Sequence, residues 1–280
     1  MNGTRHPHWL VRKAYDEASI EKMESMLNSA CLATVCQSAH CPNLGECFSR
    51  GTATFMILGT QCTRNCRFCT VDTGAPSQID PLEPERIAET VKTLGLKFVV
   101  VTSVTRDDLP DGGAAQFAHT LEQVRIHCPG TKIEVLVPDF KGSLASLKTV
   151  LNARPDMFNH NIETVPRLYE SVRPQAIYRR SLSVLAYATW YRVPVKSGLM
   201  LGLGETKKEV HRVLKDLKRV GCTHLTLGQY LAPSDHHFPI DRYVSPEEFQ
   251  DWETIALEMG FKGVMSGPLV RSSYLAHTMA

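Results

Sequence analysis

Short apolar or β-branched runs alternate with amphipathic stretches along most of this chain. Runs at 52–58, 97–102, 132–137, 157–161, 195–201 and 224–230 read as strands. Helical periodicity lies between them, near 84–95, 113–127, 143–152, 178–191, 206–220 and 246–260. Two helix starts carry capping boxes, Thr206 with Glu209 and Ser245 with Glu248. Pro246 takes a first helical position, where its missing N–H costs nothing. Six strand–helix units predict an α/β fold built on a parallel sheet with right-handed crossovers. Periodicity alone leaves a doubly wound sheet and a full or partial barrel equally open. Six units fall two short of an eightfold barrel.

The segments after the strands change this picture. They read GTQCTRNCRFC, SVTRDDLPDGG, NIET, GLGET and LAPSDHH. Parallel α/β folds place their sites at those strand ends. Composition adds little: 43% of residues are hydrophobic, 21% are charged, and the formal net charge is +2. With no basic block, nucleic acid is not the expected partner. The first residues, MNGTRHPHWLVRK, lack the apolar core of a secretory signal, and no apolar run is long enough to span a bilayer. A cytoplasmic, membrane-free protein is expected. Its nine cysteines then serve as metal ligands or free thiols.

Six of those cysteines form two triplets, Cys36-x4-Cys41-x5-Cys47 and Cys62-x3-Cys66-x2-Cys69. Thiolates are the ligands that iron–sulfur clusters take, and a cubane needs four. A triplet leaves one iron open to a small chelating molecule, as catalytic zinc keeps one position free. A zinc site completed by a histidine is the alternative, though the paired layout of common zinc modules is absent.

CTRNCRFC resembles the signature of the radical S-adenosylmethionine (SAM) superfamily. The resemblance implies a [4Fe–4S] cluster on Cys62, Cys66 and Cys69, SAM on its open iron, Phe68 near the adenine, and a partial (β/α)6 barrel. The stretch TVCQSAHCPNLGECFSRGTATFMILG narrows this, together with SVTRDDLPDGG, FNHNIETV, GLMLGLGE and SGPLVRSSY. From about residue 35 to 276 the chain resembles lipoyl synthases. That family inserts two sulfur atoms at C6 and C8 of a protein-bound octanoyl-lysine. The resemblance implies a second, auxiliary [4Fe–4S] cluster on Cys36, Cys41 and Cys47. That cluster is the sulfur donor, and its fourth ligand is Ser273, with Ser272 as the competing assignment. Cys62, Cys66, Cys69 and Ser273 are then the catalytic set. An alkoxide is a harder, more basic ligand than thiolate, so it is expected to release iron more readily.

The implied partners are an octanoylated lipoyl carrier domain or glycine-cleavage H protein, and a low-potential electron donor of ferredoxin or flavodoxin type. An iron–sulfur carrier is a further candidate. Three parts are expected: an N-terminal extension over 1–50, a radical SAM barrel over 51–262, and a C-terminal segment over 263–280. Candidates for SAM or substrate contact are Arg106 and Asp108, Asn161 and Glu163, and Gly202 with Gly204. Their plainer readings are a loop salt bridge, a surface carboxylate and a strand end. Lys196 reads as a snorkelling surface lysine, and His236 and His237 as solvated loop residues. Cys31 repeats the C-x4-C spacing with Cys36, which offers a fourth sulfur, but helical periodicity upstream places it as a small buried side chain at a helix end. Six residues follow Tyr274, which gives the serine segment little to anchor it. The rival readings are a biotin-synthase-like or methylthiotransferase enzyme and a zinc-stabilised binding protein.

Overall fold

The computed structural model describes residues 7–10 and 15–279. The leader reading over MNGTRHPHWLVRK therefore lies mostly outside the described residues. One eight-stranded sheet organises the chain. Its strands are β1 (Ala33–Thr34), β2 (Thr54–Ile57), β3 (Phe98–Ser103), β4 (Lys132–Leu136), β5 (Met157–Asn159), β6 (Val195–Leu201), β7 (His224–Gln229) and β8 (Gly263–Gly267). The helices are α1 (Glu17–Ser29), α2 (Val35–Ser38), α3 (Leu44–Ser49), α4 (Glu83–Thr93), α5 (Ala114–His127), α6 (Leu144–Asn152), α7 (Tyr169–Val172), α8 (Tyr178–Trp190), α9 (Lys207–Arg219) and α10 (Pro246–Glu258).

Strand order decides between the architectures that periodicity left open. Neighbours follow chain order from β1 to β8, and every pair from β2 onward is parallel. Right-handed crossovers in one direction put all the linking helices on one face. The sheet then curls around its other face as an open, partial barrel. All six expected strands and all six expected helices are present, most within two residues of the expected bounds. Two strands were not expected. β1 is only two residues long and pairs antiparallel with β2, Ala33 against Met56 and Thr34 against Phe55, which covers an edge of the barrel sheet. β8 falls within the segment read as the C-terminal extension and adds a seventh parallel strand.

The capping boxes differ. At α9, Thr206 caps Glu209 N and the Glu209 carboxylate returns to Thr206 N, so the box is complete. At α10, Ser245 accepts from Glu248 N, but the Glu248 carboxylate turns to Arg242 at 2.8 and 2.9 Å. Half of that box has been exchanged for an ion pair.

The barrel interior is not wholly apolar. In β4, Ile133 and Val135 point to one face and Glu134 and Leu136 to the other, as strand geometry requires. Glu134 and Lys196 are fully buried and paired, with Lys196 Nζ 3.1 Å from each carboxylate oxygen. Asn159 Nδ2 donates to the same carboxylate at 2.8 Å. Lys196 is therefore a core residue and not a snorkelling one. On their strands Glu134 and Lys196 lie two residues before Leu136 and Gly198, which line the cavity described below. The ion pair forms the layer beneath that cavity. Removing one member strands the other charge in the core, so Lys196→Met should cost about 3–5 kcal/mol in urea unfolding, and the double variant Glu134→Leu/Lys196→Met distinctly less.

Candidate active site

All six triplet cysteines line one cavity of about 590 Å³, which reaches from the carboxyl ends of the strands into the barrel. Ser272, Ser273 and Tyr274 of the C-terminal segment line it as well. Of the other expected residues, Phe68, Asn161 and Glu163 are on its wall. Gly202, Gly204, Arg106 and Asp108 are not.

The second triplet sits in a loop after β2 that is bonded along its length. Thr63 N donates to Thr105 O, Arg67 N to Val172 O and Cys69 N to Cys66 O. Arg64 N and Thr105 N point at Cys62 Sγ, at 3.4 and 3.3 Å. Arg64, an intervening residue of the CTRNC stretch, is buried. It forms a two-point bond to Asp107 at 2.7 and 3.0 Å and a third bond to Asp139 at 2.6 Å. Burial would raise the Asp139 pKa, but the Arg64 guanidinium outweighs it and holds the value at about 2. His237 Nε2 lies 3.2 Å from Cys69 O and can only donate to that carbonyl, so His237 braces the loop. The solvated reading fits His236 alone.

Across the cavity, Glu163 is enclosed, and burial raises its pKa. It is not a surface carboxylate. Its backbone takes a left-handed φ of +66°, an uncommon choice for a non-glycine residue. Two bonds to β6 hold it there: Glu163 N to Gly198 O at 2.9 Å and Met200 N to Glu163 O at 2.8 Å. Arg173 faces it, with Nη1 donating to the carbonyls of Asn161 and Ile162. Nothing in its surroundings in the sequence marked Arg173 as a site residue. His160, also on the wall, donates from Nδ1 to Val137 O at 2.8 Å and accepts at Nε2 from Ser181 at 2.9 Å. Burial lowers its pKa to about 4, and the nearby Arg173 charge adds to this, while the bond to the Val137 carbonyl works the other way.

Arg106 and Asp108 do not reach the cavity. They pair with each other at 2.9 Å, and Arg106 also donates to Leu58 O, so the plainer reading of these two holds. Gly202 has φ +97°, and a Cβ there would meet Arg242 O and Gln229 Nε2 at 2.4 Å. What approaches Gly202 closely is the protein itself.

The first triplet lies on α2, the following loop and α3. Burial pushes the Cys36 thiol to about 11 and the Cys47 and Cys69 thiols to about 12. Burial thus favours the protonated thiol at these three sulfurs. Asn43 and Glu46, within CPNLGEC, hold the C-terminal segment. Asn43 Nδ2 donates to Leu269 O at 2.7 Å, and Tyr274 Oη donates to Glu46 Oε2 at 3.1 Å. The 3-10 turn Ala276–Thr278 packs on β3, with Ala276 buried. The segment is thus well anchored, contrary to the expectation from its length. Cys31 is exposed, has φ +51°, and lies outside the cavity. It is neither the buried side chain expected nor placed as a fourth ligand.

The donor set suits an iron–sulfur group and a polar organic cofactor. Among the described residues, no three His, Cys, Asp or Glu side chains converge on a single metal ion, the arrangement a mononuclear zinc site uses. Three buried polar atoms of the lining, Ser103 Oγ, Asn161 Oδ1 and Arg173 Nε, have no protein partner. Buried polar atoms are ordinarily bonded, so a bound molecule is their natural partner.

The radical SAM superfamily model matches residues 56–217. Solved structures with the same fold include HydG, a maturase of the [FeFe]-hydrogenase (TM-score 0.61, 16% identity, 87% of this chain and 65% of that one). Methylornithine synthase PylB is another (TM-score 0.57, 13% identity, 90% and 79%). The chain belongs to the radical SAM superfamily, whose members use a [4Fe–4S] cluster and SAM. Lipoyl synthase of Caldicellulosiruptor saccharolyticus is 54% identical over 278 residues, 99% of this chain and 98% of that one. Lipoyl synthase of Caldanaerobacter subterraneus subsp. tengcongensis is 54% identical over 274 residues, 97% and 96%. Within the superfamily, the chain belongs to the lipoyl synthase family of sulfur-inserting enzymes. Among the described residues no helix is long and apolar enough to cross a membrane.

Two measurements test this geometry. In anaerobic reconstitution, Cys36→Ala should lose about four irons per chain, one cubane's worth, and Cys31→Ala none. His160 links stability to pH. The unfolded chain binds its proton near the ordinary 6.5, the folded chain only near 4. Stability therefore falls as pH drops from 6.5 towards 4. His160→Gln should remove that part of the fall, on the order of 2 kcal/mol between pH 6.5 and 5 in urea titrations.

Proposed function

We propose that this chain inserts two sulfur atoms at C6 and C8 of an octanoyl-lysine presented by a carrier protein, with a second, auxiliary [4Fe–4S] cluster as the sulfur source. One observation carries the reading: both cysteine triplets and Ser273 line a single cavity. In this reading Cys62, Cys66 and Cys69 hold the SAM cluster, and Cys36, Cys41, Cys47 and Ser273 hold the auxiliary one. When bound, the SAM cluster supplies the electron that cleaves SAM to methionine and a carbon radical able to take hydrogen from an unactivated carbon.

The chain's own residues bind, orient and exclude water. Glu163 and Arg173 bring opposite charges to one wall, which suits the amino and carboxylate groups of an amino acid. Asn161 offers its free Oδ1 beside them, and Phe68 presents an aromatic face. Arg64, tied to Asp107 and Asp139, fixes the loop that carries the three sulfurs. Apolar lining from Met56, Val104, Leu136, Leu199 and Met200 suits an octanoyl chain and keeps water from a reactive radical. Ser273 is favoured over Ser272 because it also lines a smaller cavity of about 250 Å³ shared with Cys36 and Cys47. The partners in this reading are an octanoylated lipoyl domain or H protein, a ferredoxin- or flavodoxin-type donor, and a carrier that restores the consumed cluster. Six thiolate ligands fit a reducing cytoplasm.

The test is anaerobic turnover of an octanoylated carrier with SAM and a low-potential reductant. The expected result is a carrier mass gain of two sulfurs with hydrogens lost, from a protein holding about eight irons, as two cubanes require. Ser273→Cys should keep the iron and form less product. Methylthio transfer, or a colourless protein retaining zinc, would overturn the proposal.

A further inference from the structure

Glu46 and Tyr274 are the neighbours in sequence of two residues in the proposed auxiliary site, Cys47 and Ser273. Tyr274 Oη donates to Glu46 Oε2 at 3.1 Å, although the two residues are 228 positions apart. Tyr15 Oη donates to the same oxygen at 3.2 Å, and Arg50 Nη2 lies 2.9 Å from Oε1. The carboxylate is thus held by its own helix and by the N-terminal segment, and the tail hangs on it. Only 16% of the Glu46 side chain is exposed, which shields the bond from competing water.

We infer that Glu46 is a positioning residue that clasps Tyr274 and so keeps Ser273 at the auxiliary site when its oxygen is not bound to metal. The inference rests on the reading of Ser273 as a ligand. The surroundings give the clasp something to do. Ser273 lies between the main cavity and the smaller one, and Glu46, Cys47 and Tyr274 share the wall of the smaller one. Ser273 thus borders both cavities while its neighbour is bonded to Glu46. A serine held this way releases and returns within one site. A serine on a loose tail leaves, and the iron it faced leaves with it. Asn43 fixes the segment upstream, at Leu269. Between that bond and the clasp, Val270 to Ser273 form a short span tethered at both ends.

The experiment follows iron loss from the anaerobically reconstituted protein to a ferrous chelator, with backbone hydrogen exchange over residues 270–278 as the second readout. Tyr274→Phe and Glu46→Ala should release one iron per chain roughly tenfold faster than the parent, as expected for loss of a hydrogen bond to a charged group. Exchange over the tail should rise in both. Glu46→Gln keeps an acceptor for Tyr274 and should stay near the parent. Tyr15→Phe removes the other phenol bond but leaves its ring against Gly45, and should change neither readout. Parent-like iron release and exchange in Tyr274→Phe would overturn the clasp. So would an equal effect of Tyr15→Phe, which would mark a general loosening of α3. Ser273→Ala separates the two levels: if it holds both clusters and loses iron at the parent rate, the ligand reading itself fails. If it is fast while Tyr274→Phe is slow, only the clasp fails.

Discussion

A buried amide, that of Asn43, helps to join the two ends of the described chain. Its side chain is bonded to the Leu269 carbonyl, and the proposed auxiliary site depends on that meeting. Three of that site's residues come from the first fifty of the sequence and one from the last ten. The barrel between them supplies a rigid distance that loops alone would not. Because the strands run in chain order, the first and last lie at the two open edges of the sheet. Segments leaving those edges need only a short path to meet at the mouth. The amide and the Glu46 carboxylate close that path.

The barrel also explains why the two triplets share one space. The loop after β2 carries the second triplet at the strand's carboxyl end. The first triplet precedes β2, and β1 pairs back along it, so the extension stays on the same edge. The polar layer of Glu134, Lys196 and Asn159 lies below, and its charges are matched. The cavity above can therefore be lined by apolar side chains around a few placed charges, as pockets for small molecules generally are.

Much of this was legible in the sequence because local signals and tertiary structure agree. The six strand–helix units repeat with clear periods, and the cysteine spacings point to a soft-metal site whatever the fold. What was illegible depended on distance or on weak local patterns. GVMSG, in β8, is glycine-flanked and half-buried throughout, so it lacks the apolar alternation of a strand. Lys196 looks like any strand lysine until Glu134, from another strand, is set beside it. Arg64 stood in plain sight within the cysteine motif, but its partners Asp107 and Asp139 lie in two other loops. Arg173 had no motif at all. Resemblance supplied Ser273, and only the fold shows what holds it.

The position of the serine also sets an order of events in synthesis. Chains emerge amino end first and fold as they appear. Every cysteine of both triplets has left the ribosome long before Ser273 is made. In the proposed auxiliary site, the sulfur ligands are thus available to iron on a growing chain, but the proposed oxygen ligand is not. Asn43 and Glu46 wait, in effect, for a segment that arrives last. The proposed auxiliary site can be closed only on a chain translated through Tyr274, so a ribosome that stalls earlier leaves a protein that can hold iron and cannot finish the site.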